Sequence, residues 1–341
     1  MISNRLAAFL AARGIHYGWV AVGTTFLVML ATAAALGSAG VLIAPLTKEF
    51  GWSTAEISSA LAIRLVLFGL LGPFAAALMN YFGLRAVVGS ALTMIVAAIL
   101  ASFAMTQLWQ LVALWGVVIG VATGMTALVL GATVASRWFT QRRGLVVGML
   151  TASNATGQLV FLPLIAGLTE AVGWRPALGV VVAILTLALL AVTALLRDRP
   201  ADLGLAPYGA TAVVPSPPRG TLISLLTSPL LALRDASKSS VFWVLFLTFF
   251  ICGFSTNGLI QTHWISICGD FGIAAVGAAG ILAVIGIFDM AGTIGAGWLS
   301  DRFDNRWLLF WFYGLRGLSL LYLPFSGFSL PALALFGVFY G

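Results

Sequence analysis

"GWLSDRFDNR", residues 297–306, sets five charged or amide side chains within six positions: Asp301, Arg302, Asp304, Asn305 and Arg306. Long apolar stretches flank it, and only 8% of the 341-residue chain is charged. Soluble domains carry about 25% charged residues. This chain is 61% hydrophobic, with a mean hydropathy of +1.08. A soluble core could not hide that much apolar surface, so the excess must face lipid. The apolar runs continue for about 20 residues instead of alternating over about 10, which argues for helices and against a barrel. The expectation is an all-α polytopic membrane protein, with the charged knot in a loop between two spans.

Breaks at Pro, Gly and charged clusters place spans near 17–44, 54–79, 86–105, 108–135, 144–169, 175–196, 241–266, 275–299 and 307–325. A tenth begins near residue 331 and meets Gly341 after about 11 residues, where about 20 are needed to cross. The second half therefore reads as truncated after the start of helix ten. The apolar run after residue 16 is too long for the core of a cleaved signal. If the N-terminus is cytoplasmic, thirteen Lys and Arg fall inside, only Lys48 and Arg175 fall outside, and Arg64 and Arg316 lie within spans, which accounts for all seventeen. That is a positive-inside pattern. It assigns the net charge of +7 to the membrane surface and not to a nucleic-acid partner. The chain divides into a six-span half (1–196), a Pro- and Gly-rich cytoplasmic linker (197–240) and an incomplete second half (241–341). Within the linker, "TLISLLTSPLLALR" (221–234) has the make-up of a short helix on the membrane surface. Cys252 and Cys268 are roughly 24 Å apart along a helix, too far for a disulfide, and their expected role is packing.

The knot has an echo. At the end of span two stands "AALMNYFGLR", residues 76–85. Aligning Asn80 with Asp301 and Arg85 with Arg306 keeps the spacing from polar residue to final Arg at five in both copies. The pattern G-x-x-x-D-R-x-G-x-R after the second span of each half resembles that of the major facilitator superfamily. "HYGWVAV" (16–22), "EFGWSTAEIS" (49–58) and "RWFTQRRGLVVG" (137–148) are similar to the monocarboxylate-transporter and oxalate–formate-antiporter-like branch. The resemblance implies two six-helix halves, here with the second incomplete, that alternate access to a central site. It also implies a small-molecule substrate, an organic anion in the sense of that branch, moved by proton symport or exchange in the plasma membrane of a bacterium, by a monomer without a cofactor. In the loops, Asn80, Arg85, Asp301, Arg302 and Arg306 are the gating candidates, through ion pairs at the cytoplasmic mouth. The first copy departs from the pattern at Asn80 and Tyr81, so the second is the expected ion-pair gate.

Charges at bilayer depth cost about 2.5–3.5 kcal/mol each on insertion scales and need a reason. Arg64 lies in span two, roughly 24 Å from Asn80 if the helix is straight. It suits a carboxylate bidentately, but a backbone carbonyl, Glu56 or the outer interface would also serve. Asp289 in span eight and Arg316 in span nine are twelve and ten residues from the shared loop, at matching depth, and form a candidate pair, structural or proton-coupling. Asn257, Gln261 and His263 crowd the outer half of span seven and are candidate substrate contacts; His263 could titrate near neutral pH. Gly148, Gly157 and Gly167 in span five read as close-packing positions.

Other function classes are poorly supplied. His16 and His263 fall on opposite sides, no metal-ligand spacing is present, and no G-x-x-x-x-G-K-[ST] occurs. An enzyme is not expected. The remaining alternatives are a carrier of an uncharged or other small solute and a sensor built on the same fold.

Overall fold

The computed structural model describes residues 2–213, 221–273 and 275–340. By internal contacts the chain forms two compact units, Met1–Pro229 and Leu230–Gly341. The first unit thus takes in much of the stretch expected as a linker over 197–240.

The first unit opens with α1 (Ile2–Ala11) and the 33-residue α2 (Gly18–Phe50). Gly51 ends α2 at φ 73°, in the left-handed region, returning its N–H to Thr47 O. Ser53 then starts α3 (Thr54–Leu70) with a capping box: its hydroxyl accepts from Glu56 N at 3.3 Å, and Glu56 Oε2 accepts from Ser53 N at 2.9 Å. Span two is not one straight helix. α4 (Gly72–Tyr81) follows after Leu71 with its axis turned by 56°, because Pro73 at its start cannot continue the ladder of α3. The 24 Å from Arg64 to Asn80 is therefore an upper bound.

Next come α5 (Leu84–Ser102) and a broken fourth span: α6 (Leu108–Leu111), a π-helical stretch Val112–Val118, α7 (Ile119–Met125) and α8 (Leu128–Trp138). The unit continues with α9 (Arg143–Val172) and α10 (Trp174–Leu195). α2 packs along α9 so closely that a Cβ at Gly157 would lie 2.5 Å from Ala33 Cβ. Gly157 is a close-packing glycine as expected; Gly167 has open space around it. At the far end of α2, Glu49 accepts from Arg175 Nη1 and Nη2 at 3.1 and 2.7 Å and from Trp174 Nε1 at 2.7 Å, tying spans one and six.

The first part of the expected linker is folded onto this unit. A 3-10 turn, Pro200–Leu203, precedes a strap at residues 204–210. Tyr208 N donates to Trp138 O at 2.7 Å, and Tyr208 O accepts from Thr140 N at 2.9 Å and Thr140 Oγ1 at 2.8 Å. The Tyr208 ring packs against Phe139, Trp19 and His16, and His16 Nε2 lies 2.9 Å from Ala206 O. Gly209 (φ 84°) lets the strap pass where a Cβ would sit 2.6 Å from Gln141.

The helices ending the linker and forming the second unit are α11 (Leu222–Ala236), α12 (Ser240–Gly253), a π-helical stretch Phe254–Gln261, α13 (Thr262–Asp270), α14 (Ala275–Ser300), α15 (Asn305–Tyr322) and α16 (Leu330–Tyr340). Its core gathers Trp264, Cys268, Ile281, Leu333 and Phe336, with Trp264 and Phe336 stacked. Among the described residues, six helices are long and apolar enough to cross a membrane and two bent pairs pass the same test.

Candidate functional site

Arg64 is the one charged side chain among those described as buried in the first unit, 6% exposed. Its position follows from glycine spacing. Gly116, Gly120 and Gly124 line one face of span four and admit the α3 backbone: a Cβ at Gly120 would meet Arg64 Cα at 3.0 Å, and one at Gly116 would meet Ala60 O at 3.0 Å. The arginine is thereby held between spans one, two and four. Its Nη1 donates to Leu36 O in α2 at 3.2 Å, while its Nε is buried with no hydrogen-bond partner. Glu56 is engaged by its own capping box and does not serve as the counter-ion. The guanidinium has a backbone carbonyl, a spare donor and, among the described residues, no carboxylate in a salt bridge.

A cavity of about 650 Å³ opens elsewhere in the same unit, between the ends of α2 and α9, with Lys48, Glu49, Glu170 and Trp174 on its rim. Arg64 does not line it.

In the second unit the expected Asp289–Arg316 salt bridge is not formed: among the described residues the salt bridges are Glu49–Arg175 and Asp235–Lys238. Arg316 turns instead toward α12 and α16. Its Nη1 lies 3.3 Å from Cys252 Sγ, its Nη2 donates to Tyr340 Oη at 2.7 Å and to Thr256 Oγ1, and the guanidinium sits 4.3 Å over the Tyr340 ring. Three neutral partners and a ring face satisfy it, and its Nε, like that of Arg64, is buried without a partner. Asp289 interacts with Arg316 only through space. Cys252 is therefore more than packing, whereas Cys268 is fully buried in the core. Asn257 and Gln261 fall in the π-helical stretch and His263 in α13, but their side chains lie outside the described residues.

The two repeated loops differ sharply. In the first, Arg137 Nη2 donates to Asn80 Oδ1 at 2.7 Å and to Met79 O at 3.1 Å, and its Nη1 donates to Asp198 O at 3.3 Å. Asp198 Oδ1 accepts from Arg85 N at 2.7 Å, and Arg85 Nη2 reaches Thr193 O. Gly83 takes φ 94°, and a Cβ there would lie 2.5 Å from Asp198 Oδ2. Sequence reasoning missed Arg137 and Asp198. The signal was available in the Arg closing span four and the Asp following span six, but their convergence required the fold. In the second loop, Asp304, and not Asp301, caps the next helix, accepting from Arg306 N at 2.9 Å. Arg302 lies 3.6 Å over the Trp298 ring. The expected salt bridges from Asp301 to Arg302 or Arg306 are not formed, because Arg302 folds back along α14 and Asp304 takes the helix start.

Residues 24–341 match the model of the Major Facilitator Superfamily. The chain belongs to that superfamily. Among similar proteins, the uncharacterized MFS-type transporter YcxA of Bacillus subtilis is 25% identical over 327 residues, covering 94% of this chain and 74% of that protein. Monocarboxylate transporter 13 of Rattus norvegicus is 30% identical, covering 95% and 71%. In structure, the proton:xylose symporter XylE aligns with a TM-score of 0.70 over 95% of this chain and 78% of that one, at 13% identity, a likeness of fold alone. This major-facilitator chain is thus a multi-pass membrane transporter of a small molecule, related to transporters and not to enzymes.

Proposed function

We propose that the chain carries a small organic anion, a monocarboxylate or a close analogue, across the plasma membrane by alternating access, with its N-terminus in the cytoplasm. One observation carries the reading: Arg64 is buried at the heart of the first unit, with a single carbonyl partner and an unpartnered Nε. A buried guanidinium without a paired carboxylate is costly unless an anion visits it. The substrate carboxylate supplies the missing partner, and the guanidinium geometry favours a two-point contact. Likeness to monocarboxylate transporters supports the same class. The 13-to-2 distribution of basic residues supports the orientation. Asp289 serves as the proton-coupling carboxylate and Arg316, held by neutral partners, as the fixed charge that senses its protonation. The loops around Asn80, Arg85, Asp301, Arg302 and Arg306 serve as the cytoplasmic gate.

Counterflow into proteoliposomes tests this. Labelled lactate or oxalate should exchange and an uncharged solute should not. Loss of a charged hydrogen bond is worth roughly 1.5–3 kcal/mol, so Arg64→Gln should weaken anion uptake about tenfold to a hundredfold, with partial retention in Arg64→Lys. Unchanged anion uptake in Arg64→Gln would refute the site, and uptake of the neutral solute alone would refute the substrate class. Asp289→Asn should abolish uptake driven by a proton gradient.

A further inference from the structure

α11 meets α12 at an elbow: the axes of Leu225–Ala236 and Ser240–Thr256 differ by 99°. The corner is fixed by its own hydrogen bonds. Ser237 N donates to Leu233 O at 2.9 Å, Ser239 N to Ala236 O at 2.9 Å and Trp243 Nε1 to Ser237 O at 2.8 Å, while Lys238 pairs with Asp235 at 2.7 Å. α12 reads "SVFWVLFLTFFICG", without a charge, and begins a membrane-crossing segment. A helix at a right angle to it runs along the membrane surface. Its level is marked as well. Trp243 is three residues past Ser240, and Trp298 and Trp307 stand at the same end of α14 and α15; all three are 45% exposed or more. Indole rings in such places sit at the membrane–water boundary.

The side chains of α11 sort by face. Leu225, Pro229, Leu233, Leu226, Leu230 and Ile223 follow one another around an arc of roughly 160° at 3.6 residues per turn. Thr227, Ser228, Arg234 and Asp235 occupy the other side, where Leu231 is the exception. Pro229, on the arc, is buried, but Ile223, Leu226 and Leu230 are 74%, 66% and 56% exposed. A stripe this broad needs a cover, and the elbow brings it to one.

We propose that α11 is an interfacial helix. Its apolar arc inserts at the boundary of headgroups and acyl chains in the leaflet reached by the Ser240 end of span seven, about 5–10 Å deep. Arg234, at the edge of the arc, and Lys238, at the elbow, reach the phosphates. Asp235 offsets part of this charge, so apolar burial carries the binding and zwitterionic lipid suffices. The inference rests on α12 crossing the membrane and not on the substrate.

The test uses the whole chain in phosphatidylcholine vesicles, with single nitroxide labels in a Cys252→Ser, Cys268→Ala background. Labels at Ile223→Cys, Leu226→Cys, Leu230→Cys and Leu233→Cys should collide severalfold more with oxygen than with a water-soluble nickel chelate. Thr227→Cys, Ser228→Cys and Asp235→Cys should show the reverse. Exclusion of both reagents from the arc would mean a protein cover, and free nickel access would mean that the helix stands off the membrane; either overturns the proposal. So does insertion seen only when phosphatidylglycerol is added. Should the altered background not fold, a diazirine amino acid at Leu226 in the natural-cysteine chain separates the same outcomes, lipid adducts supporting the proposal and peptide crosslinks overturning it.

Discussion

The loop that keeps the family pattern and the loop that lost it have exchanged the roles their sequences suggest. Residues 297–306 hold Asp301, Arg302 and Arg306, yet every side chain from Asp301 to Arg306 is exposed, and the contact that shapes the loop is the Asp304 cap. Residues 76–85 have Asn80 and Tyr81 instead, yet their neighbourhood is stitched to the ends of spans four and six by Arg137 and Asp198. An amide still accepts from a guanidinium, so Asn80 keeps the bond while giving up the charge. What matters for a locked loop is convergence of partners, and one surviving acceptor atom is enough for that.

The contrast can be broken by substitution, with hydrogen exchange over the spans of each unit and melting in detergent as readouts. Gly83→Ala should do most. It places a Cβ at φ 94° against Asp198 and should cost about 3 kcal/mol, the upper end for such backbone strain; the same exchange at the matching residue, Asp304, meets no such obstacle. Asp198→Ala should cost about 2 kcal/mol, since it strips the acceptor from Arg85 N, and protection should fall in α4, α5 and α10 while the second unit is unaffected. Asp304→Ala should cost about 1 kcal/mol, confined to the first turn of α15, and Asp304→Asn nearly nothing. Arg302→Ala should be smallest, about 0.5 kcal/mol for an exposed ring contact. Equal losses from Asp198→Ala and Asp304→Ala would erase the distinction between the loops.

The membrane spans are legible in the sequence because each is a continuous apolar run. Sequence places span one at 17–44 and span six at 175–196; the helices are Gly18–Phe50 and Trp174–Leu195. The 56° bend in span two escapes such a reading, although Gly72 and Pro73 announce it, because apolar content continues across the break. The π-helical turns at Val112–Val118 and Phe254–Gln261 leave no mark in hydropathy. Arg64 stands out on cost alone, and its alternatives are then decided by who is near: Leu36 O, not Glu56. The Asp289–Arg316 pairing fails for a related reason. A ruler along two helices gives depth but not the direction a side chain takes around the axis, and Arg316 points to Cys252, Thr256 and Tyr340.

The strap at Tyr208 has a practical consequence. Residues 203–210, "LGLAPYGA", carry the Pro, Gly and Ala of a tolerant hinge, the composition at which a tag, a protease site or a fused reporter is ordinarily inserted. Here the backbone of that segment is bonded to Trp138 and Thr140, and its ring is wedged among Trp19, Phe139 and His16. An insertion between Pro207 and Gly209 would pull the segment off the ends of spans one and four. Reporters meant to sit harmlessly between the two units belong beyond Ala210.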